Sequence, residues 1–379
     1  MSKRVAIIGT RGYPSYYGGF ETAVRHVAPA LADAGWDVTV YGRPGQERDD
    51  DPSLDPRITR RTTGGLESRS LSTLTYGLTA VLDTIGRRPD VTLVMNCANG
   101  YWLPLLKLAG IPTVVNVDGI EWERAKWGRL AKAVFRTGAR MTARTADALV
   151  FDAHAIGHYW RRVFGKDGDV IPYGGTEATA LQLHPADAHL TGAPFALVVA
   201  RFVPENTVRE FLVAAEWIAE QHPVVIVGSS GHGGELDQHA RLLADANPNV
   251  HWLGHVSDDD RLFALWQHAG AYFHGHSVGG TNPALVQAMH LGAPTVARDT
   301  VYNREVLART DATFVEPEPG AIADAVLSLL GDRAEQERLG RAVRERARDH
   351  YTWRSVCDAY ERVLADRAGV APTPSEVAA

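Results

Sequence analysis

The sequence predicts an α/β protein made of two successive Rossmann-like domains, each an open parallel sheet with helices on both faces. Three observations predict it. Short apolar runs alternate with helical patterns along the chain, the series restarts near residue 195, and glycine-rich turns stand where strands lead into helices. In the first series, strands are expected at 5–9, 37–41, 91–96, 113–117, 148–151 and 169–172. Their apolar runs are nearly continuous, as in strands buried on both faces. Helices are expected between them at 21–34, 72–86, 101–108, 129–144 and 153–164. The turn-rich, weakly patterned stretch 173–194 reads as a boundary. In the second series, strands at 195–200, 224–228, 250–253, 271–274, 294–297 and 312–315 include a helix at 207–221. A helix of small and apolar residues follows at 284–292. Two long helical patterns, 333–348 and 353–366, close the fold. The expected organisation is one domain over 1–175, a second over 190–350, a helix at 351–368 that returns to the first domain, and a small, polar, disordered tail at 369–379. Two such sheets are expected to face each other across a ligand-binding cleft.

The totals narrow the classes of function. The 379 residues suffice for about two domains at roughly 150 residues each. A net charge of −6 does not recruit nucleic acid, so no nucleic-acid partner is expected. Cys97 and Cys357 stand far apart and match no metal-ligand spacing, so no bound metal is expected. With no leader-like order of segments and no apolar run of the ~18–20 residues that span a bilayer, the expectation is a soluble cytoplasmic protein.

The richest segment is HGHSVGGTNP at 274–283, which joins a short strand to a helix with Pro283 in its first turn. Gly279, Gly280, Thr281 and Asn282 there present main-chain N–H groups at the positive end of a helix dipole, a ready site for a phosphate. Gly18 and Gly19, after the first strand, open another helix and read as a second main-chain amide site. The loop at 9–14 is neither the G-x-G-x-x-G dinucleotide fingerprint nor a Walker loop, which argues against a nicotinamide cofactor; no cofactor is expected.

Six segments in order carry a resemblance: IGTRGYP at 8–14 with YGGFET at 17–22, VDGIEW at 117–122, IPYGG at 171–175, ARFVPEN at 200–206, HGHSVGGTNP at 274–283 and NREVL at 303–307. Together the chain resembles the GT-B glycosyltransferases of retaining family four, in particular the branch of predicted rhamnosyltransferases. The resemblance implies a nucleotide diphosphate sugar as donor, a glycan or lipid-linked acceptor, and transfer of a hexose, rhamnose first, with retention of configuration. It implies that Arg201 binds the diphosphate and that His276 and Ser277 meet the donor sugar. Asp118 and Glu121 follow a strand of the first domain and, in a parallel sheet, are expected to point toward the ligand edge, where a carboxylate faces the reaction centre. Four positions depart from the family pattern. Asn206 stands where many relatives have a lysine, Gly279 and Gln287 stand where many carry two glutamates, the second of which grips the ribose, and Asp118 stands where many have a histidine. An amide offers a diol a weaker acceptor than a carboxylate, so Gln287 predicts tolerance of a 2′-deoxyribose nucleotide such as dTDP. The residues leave open an epimerase of the same architecture, or a nucleotide-sugar-binding subunit without activity.

The stretch 123–144 is basic. Arg124, Lys126, Arg129, Lys132, Arg136, Arg140 and Arg144 include a run at helical spacing, accompanied by Trp127, Leu130 and Phe135. Such a helix predicts peripheral contact with an anionic membrane on its cytoplasmic face.

Overall fold

The structure is a computed structural model that describes residues 3–16, 18–45, 50–66, 72–124 and 127–373. It divides into two compact units. One comprises Met1–Glu123, Trp127–Gly174 and Trp353–Ala379, the other Arg124–Lys126 and Gly175–Thr352.

The first unit holds β1 (Lys3–Ile8), α1 (Gly19–Asp33), β2 (Trp36–Gly42), β3 (Thr59–Thr62), α2 (Ser72–Arg87), β4 (Val91–Met95), α3 (Leu103–Leu108), β5 (Thr113–Asn116), α4 (Arg129–Thr145), β6 (Ala148–Phe151), α5 (His154–Phe164) and β7 (Asp169–Val170). Its seven strands are parallel in the order β3-β2-β1-β4-β5-β6-β7. Ile7 on the interior strand β1 pairs with Val40 on one side and Leu93 on the other, and all three are buried. Apolar β-branched residues suit such a strand because both faces are covered. β3 is the exception. Its residues Thr59, Arg60, Arg61 and Thr62 carry no apolar run, because it is the sheet's edge and is exposed or half-buried throughout. The helices follow the 3.6-residue period; α1 buries Ala23, Val24, Val27, Ala28 and Leu31 against the sheet.

The second unit holds β8 (Ala196–Val199), α6 (Val208–Ile218), β9 (Val224–Val227), α7 (Glu235–Ala246), β10 (Val250–Gly254), α8 (Asp259–His268), β11 (Ala271–His274), α9 (Pro283–His290), β12 (Thr295–Arg298), α10 (Val301–Val306), β13 (Thr313–Val315), α11 (Pro319–Leu330) and α12 (Arg333–His350). Its six parallel strands run β10-β9-β8-β11-β12-β13.

The last helix, α13 (Trp353–Ala368), belongs to the first unit. Val356, Tyr360, Leu364 and Ala365 enter that unit's core, the Tyr360 hydroxyl accepts from Asn116 Nδ2 at 2.7 Å, and Trp353 stacks on His26 with ring centres 4.0 Å apart.

Two expectations change. The stretch 176–189, expected to be a boundary outside both domains, is strapped to α8 of the second unit. Gln267 Oε1 accepts from the Leu181 N–H at 2.8 Å, and Arg261 grips Asp187 with two bonds of 2.7 Å. Side chains from a distant helix satisfy its irregular backbone, and such pairing leaves no local periodicity to read. The tail expected to be disordered from 369 is held as far as Thr373. Its N–H donates to Glu361 at 3.1 Å, and its hydroxyl donates to the Ala34 carbonyl at 3.0 Å. Residues 374–379 lie outside the described residues.

Candidate active site

In the second unit, strand order reverses between β8 and β11: β9 and β10 continue to one side, β12 and β13 to the other. Open parallel sheets bind ligands at the carboxyl edge of such a switch point, because the loops leaving the two central strands diverge there. The loop after β8 contains Arg201, Glu205 and Asn206. The loop after β11 contains His276, Ser277 and the glycine turn.

The two loops are bonded to each other. Ser277 donates both its N–H (2.9 Å) and its hydroxyl (2.8 Å) to the Glu205 carbonyl, and the Thr207 hydroxyl donates to the Gly275 carbonyl at 2.6 Å. Gly275 is required by this approach, since a Cβ there would lie 2.4 Å from the Asn206 carbonyl oxygen. The Thr207 hydroxyl in turn accepts from Arg298 Nη1 at 2.9 Å, at the end of β12. Asn303, on α10 and buried, donates to the His276 carbonyl at 3.0 Å and the Arg298 carbonyl at 2.8 Å. Four carboxyl-edge segments are thus held in one geometry.

Gly279 has φ of +103°, a conformation that glycine adopts at little cost and other residues only under strain. It turns the chain into α9, where Asn282 caps the helix by accepting from the Ala284 N–H at 2.9 Å. The side chain of Asn282 therefore serves its own helix, and its contribution to an anion is the main-chain amide beside Gly280 and Thr281. Arg201 is exposed after β8 and forms no ion pair with another described residue, so its guanidinium is available to a ligand. The His276 ring is half-buried and stacks on His274 with centres 4.5 Å apart. Burial first, then the charges of Arg201 and Arg124, push the His276 imidazole down to about 3. At neutral pH it is uncharged, a hydrogen-bonding group for a hydroxyl and not a cation for a phosphate.

Three expected binding residues are occupied by the protein itself. Asn206 is buried and its amide donates to the Arg201 carbonyl at 2.9 Å, which shapes the loop that carries Arg201. Gln287 clasps the main chain of Thr176 at both ends, accepting from its N–H at 3.0 Å and donating to its carbonyl at 2.7 Å. It is not presented as a free acceptor for a diol, because the irregular backbone at 176 needs both groups. The Ser277 hydroxyl proton is committed to Glu205, leaving its lone pairs to accept.

In the first unit the switch lies between β1 and β4. Gly18 is the N-cap of α1 and Gly19 its first residue; Tyr17 lies outside the described residues. Asp118 follows β5 with φ of +63°, its N–H donating to Asn116 Oδ1 at 2.9 Å. A non-glycine residue held in the left-handed region stores about 1–3 kcal/mol of strain, a frequent mark of a functional position. Its carboxylate is half-buried and has no hydrogen-bond or ion-pair partner among the described residues. Glu121 is buried and accepts from the Trp127 indole at 2.9 Å, so it anchors the loop. Burial, then Glu121 and Asp118, push the Cys97 thiol well above its ordinary range.

Sequence reasoning did not single out Glu205, Thr207, Arg298 or Asn303. Asn303 stood inside a quoted segment, but its bonds to His276 and Arg298 depend on β11 and β12 lying side by side. The basic helix is α4. It buries Gly138, Ala139, Thr142 and Ala143 and exposes Arg129, Arg136, Arg140 and Arg144, none of which pairs with another described residue. Leu130 is 81% exposed, whereas Trp127 and Phe135 pack on each other with ring centres 5.2 Å apart. Lys126 lies outside the described residues, and no described helix is long and apolar enough to cross a membrane.

Residues 18–174 match the glycosyl transferase 4-like domain, and residues 182–346 match the glycosyl transferases group 1 family. Glycogen synthase of Mycobacterium tuberculosis is 24% identical over 409 aligned residues, covering 97% of this chain and 95% of that protein. Sucrose-phosphate synthase of Thermosynechococcus elongatus has a similar structure, with a TM-score of 0.78 at 20% identity over 96% of this chain and all of that one. Anabaena HepE in complex with UDP-glucose gives a TM-score of 0.74 at 15% identity over 97% of this chain and all of that one. The chain is a glycosyltransferase of the GT-B fold, a glycosyl transferase 4-like domain followed by a glycosyl transferases group 1 domain.

Proposed function

We propose that this glycosyltransferase moves a hexosyl group, rhamnose first among candidates, from a nucleoside diphosphate sugar to a hydroxyl of a glycan or lipid-linked acceptor, with retention at the anomeric carbon. The observation that carries the donor reading is the switch-point site of the second unit, where an available Arg201 stands with the glycine turn 279–282 at the start of α9. As the glycosidic bond breaks, charge develops on the departing diphosphate. Preorganised cations and main-chain amides stabilise that charge without reorganising during the reaction. The neutral His276 hydrogen-bonds a hydroxyl of the donor sugar. In the first unit, the Asp118 carboxylate orients the acceptor hydroxyl or stabilises the oxocarbenium-like sugar. Rhamnose, retention and the lipid-linked acceptor rest on the resemblance of the quoted segments. The exposed basic face of α4 supports an acceptor at an anionic membrane.

The test is a thermal-shift panel of UDP, GDP, ADP and dTDP with their sugar conjugates. A ligand at about 100 times its dissociation constant adds about 2.7 kcal/mol to stability. The expected result is a selective shift with one diphosphate series, followed by turnover that needs an acceptor. A changed sugar on the same nucleotide without acceptor would indicate an epimerase, and no shift at millimolar ligand would refute the donor reading.

A further inference from the structure

The donor loop holds a carboxylate where a diphosphate would need cations. The Glu205 side chain is 4% exposed, and neither oxygen has a hydrogen-bond partner among the described residues. A buried carboxylate without hydrogen bonds is costly unless a positive charge stands beside it. That charge is Arg124, which groups with the second unit and whose Nη1 lies 4.0 Å from Glu205 Oε1. Arg124 is itself only 13% exposed, and its Nη2 lies 4.0 Å from where a Cβ on Gly279 would sit. Its guanidinium therefore reaches the glycine turn and Glu205 together, and its field is felt at His276 alongside that of Arg201. Without Arg124, the loop's charges are Arg201 and Glu205, which cancel. Asn206 adds none, and its amide is turned to the Arg201 carbonyl.

We propose that Arg124 is a second cation of the diphosphate site, held at the Gly279 turn by Glu205 and supplying the charge that Asn206 lacks. The inference rests on the donor reading above and deepens it. Glu205 is a positioning residue, because its buried carboxylate fixes a long side chain that would otherwise sample many rotamers. A planar guanidinium with several donors can stand beside a carboxylate as an ion pair and still offer hydrogen bonds to a phosphate.

The experiment measures binding of UDP, GDP, ADP and dTDP, and of the uncharged nucleosides, by calorimetry at several salt concentrations. Wild type, Arg124→Ala, Arg124→Lys and Arg124→Ala with Asn206→Lys are compared, and a thermal melt of each shows that it is folded. Arg124→Ala is expected to weaken the bound diphosphate about 10- to 100-fold, since a hydrogen bond to a charged group contributes about 1.5–3 kcal/mol. It should also flatten the salt dependence and leave nucleoside binding unchanged. Arg124→Lys should keep most of the affinity, and Asn206→Lys should restore much of what Arg124→Ala lost. Wild-type affinity in folded Arg124→Ala, or an equal loss for nucleoside and diphosphate, would overturn the proposal. A rescue that fails in a folded double variant would assign Arg124 to packing and overturn it also. If wild type binds no diphosphate, the donor reading itself falls, an outcome separate from these.

Discussion

Replacing Gln287 with glutamate tests what that side chain does. The amide closes on Thr176 with a 3.0 Å bond to its N–H and a 2.7 Å bond from Nε2 to its carbonyl. A carboxylate keeps the first acceptor but has no proton for the second bond, and would place two oxygens against each other at 2.7 Å. The side chain must then leave, and both bonds are lost. Each is worth about 0.5–1.5 kcal/mol, and the clasp is exposed, so the expected loss is about 1–2 kcal/mol. For a domain of about 150–250 residues, 1 kcal/mol lowers Tm by roughly 2–4 °C, so the drop should be about 2–8 °C. The released carboxylate would also be a stronger acceptor for a ribose diol, raising binding of UDP relative to dTDP. Differential scanning calorimetry reads the first effect and paired titrations with UDP and dTDP the second. An unchanged Tm would refute the clasp as a stabilising contact. An unchanged UDP-to-dTDP ratio would refute any role for position 287 in reading the ribose.

Other outcomes follow from the same structure. Arg201→Ala should leave Tm within about 0.5 kcal/mol of wild type, because the side chain is exposed, yet lower kcat by about 10²–10³ in a transfer assay. His26, stacked on Trp353, is lowered to about 4 by burial and then by Arg25. Between pH 6.5 and about 4 the unfolded chain binds more protons than the folded one, so stability falls as pH falls through that window. His26→Gln should lose less Tm across it than wild type, and equal losses would exclude His26 as a contributor. Reversing Arg136 and Arg140 on α4 to glutamate should weaken sedimentation with anionic vesicles, since each basic residue near such a surface contributes about 1 kcal/mol; neutral vesicles serve as the control.

The two-sheet architecture was legible from the sequence because strands buried on both faces must be apolar throughout. Ile7, Leu93 and Ile226 announce such strands without knowledge of their neighbours. Position-specific chemistry was legible where the backbone demands one residue type, as at Gly279, or where a proline opens a helix, as at Pro283. Edge strand β3 was not legible, because an edge needs no apolar face and Thr59–Thr62 carries no pattern. The partners of polar side chains were not legible either. Nothing local says that Gln287 closes on Thr176, that Asn303 holds His276, or that Glu205 is buried beside Arg124. Those pairings span 111, 27 and 81 positions of chain. Sequence periodicity reports which face of an element is buried; only the tertiary structure decides which distant groups meet there, because hydrogen bonds and ion pairs depend on positions a few ångströms apart in space.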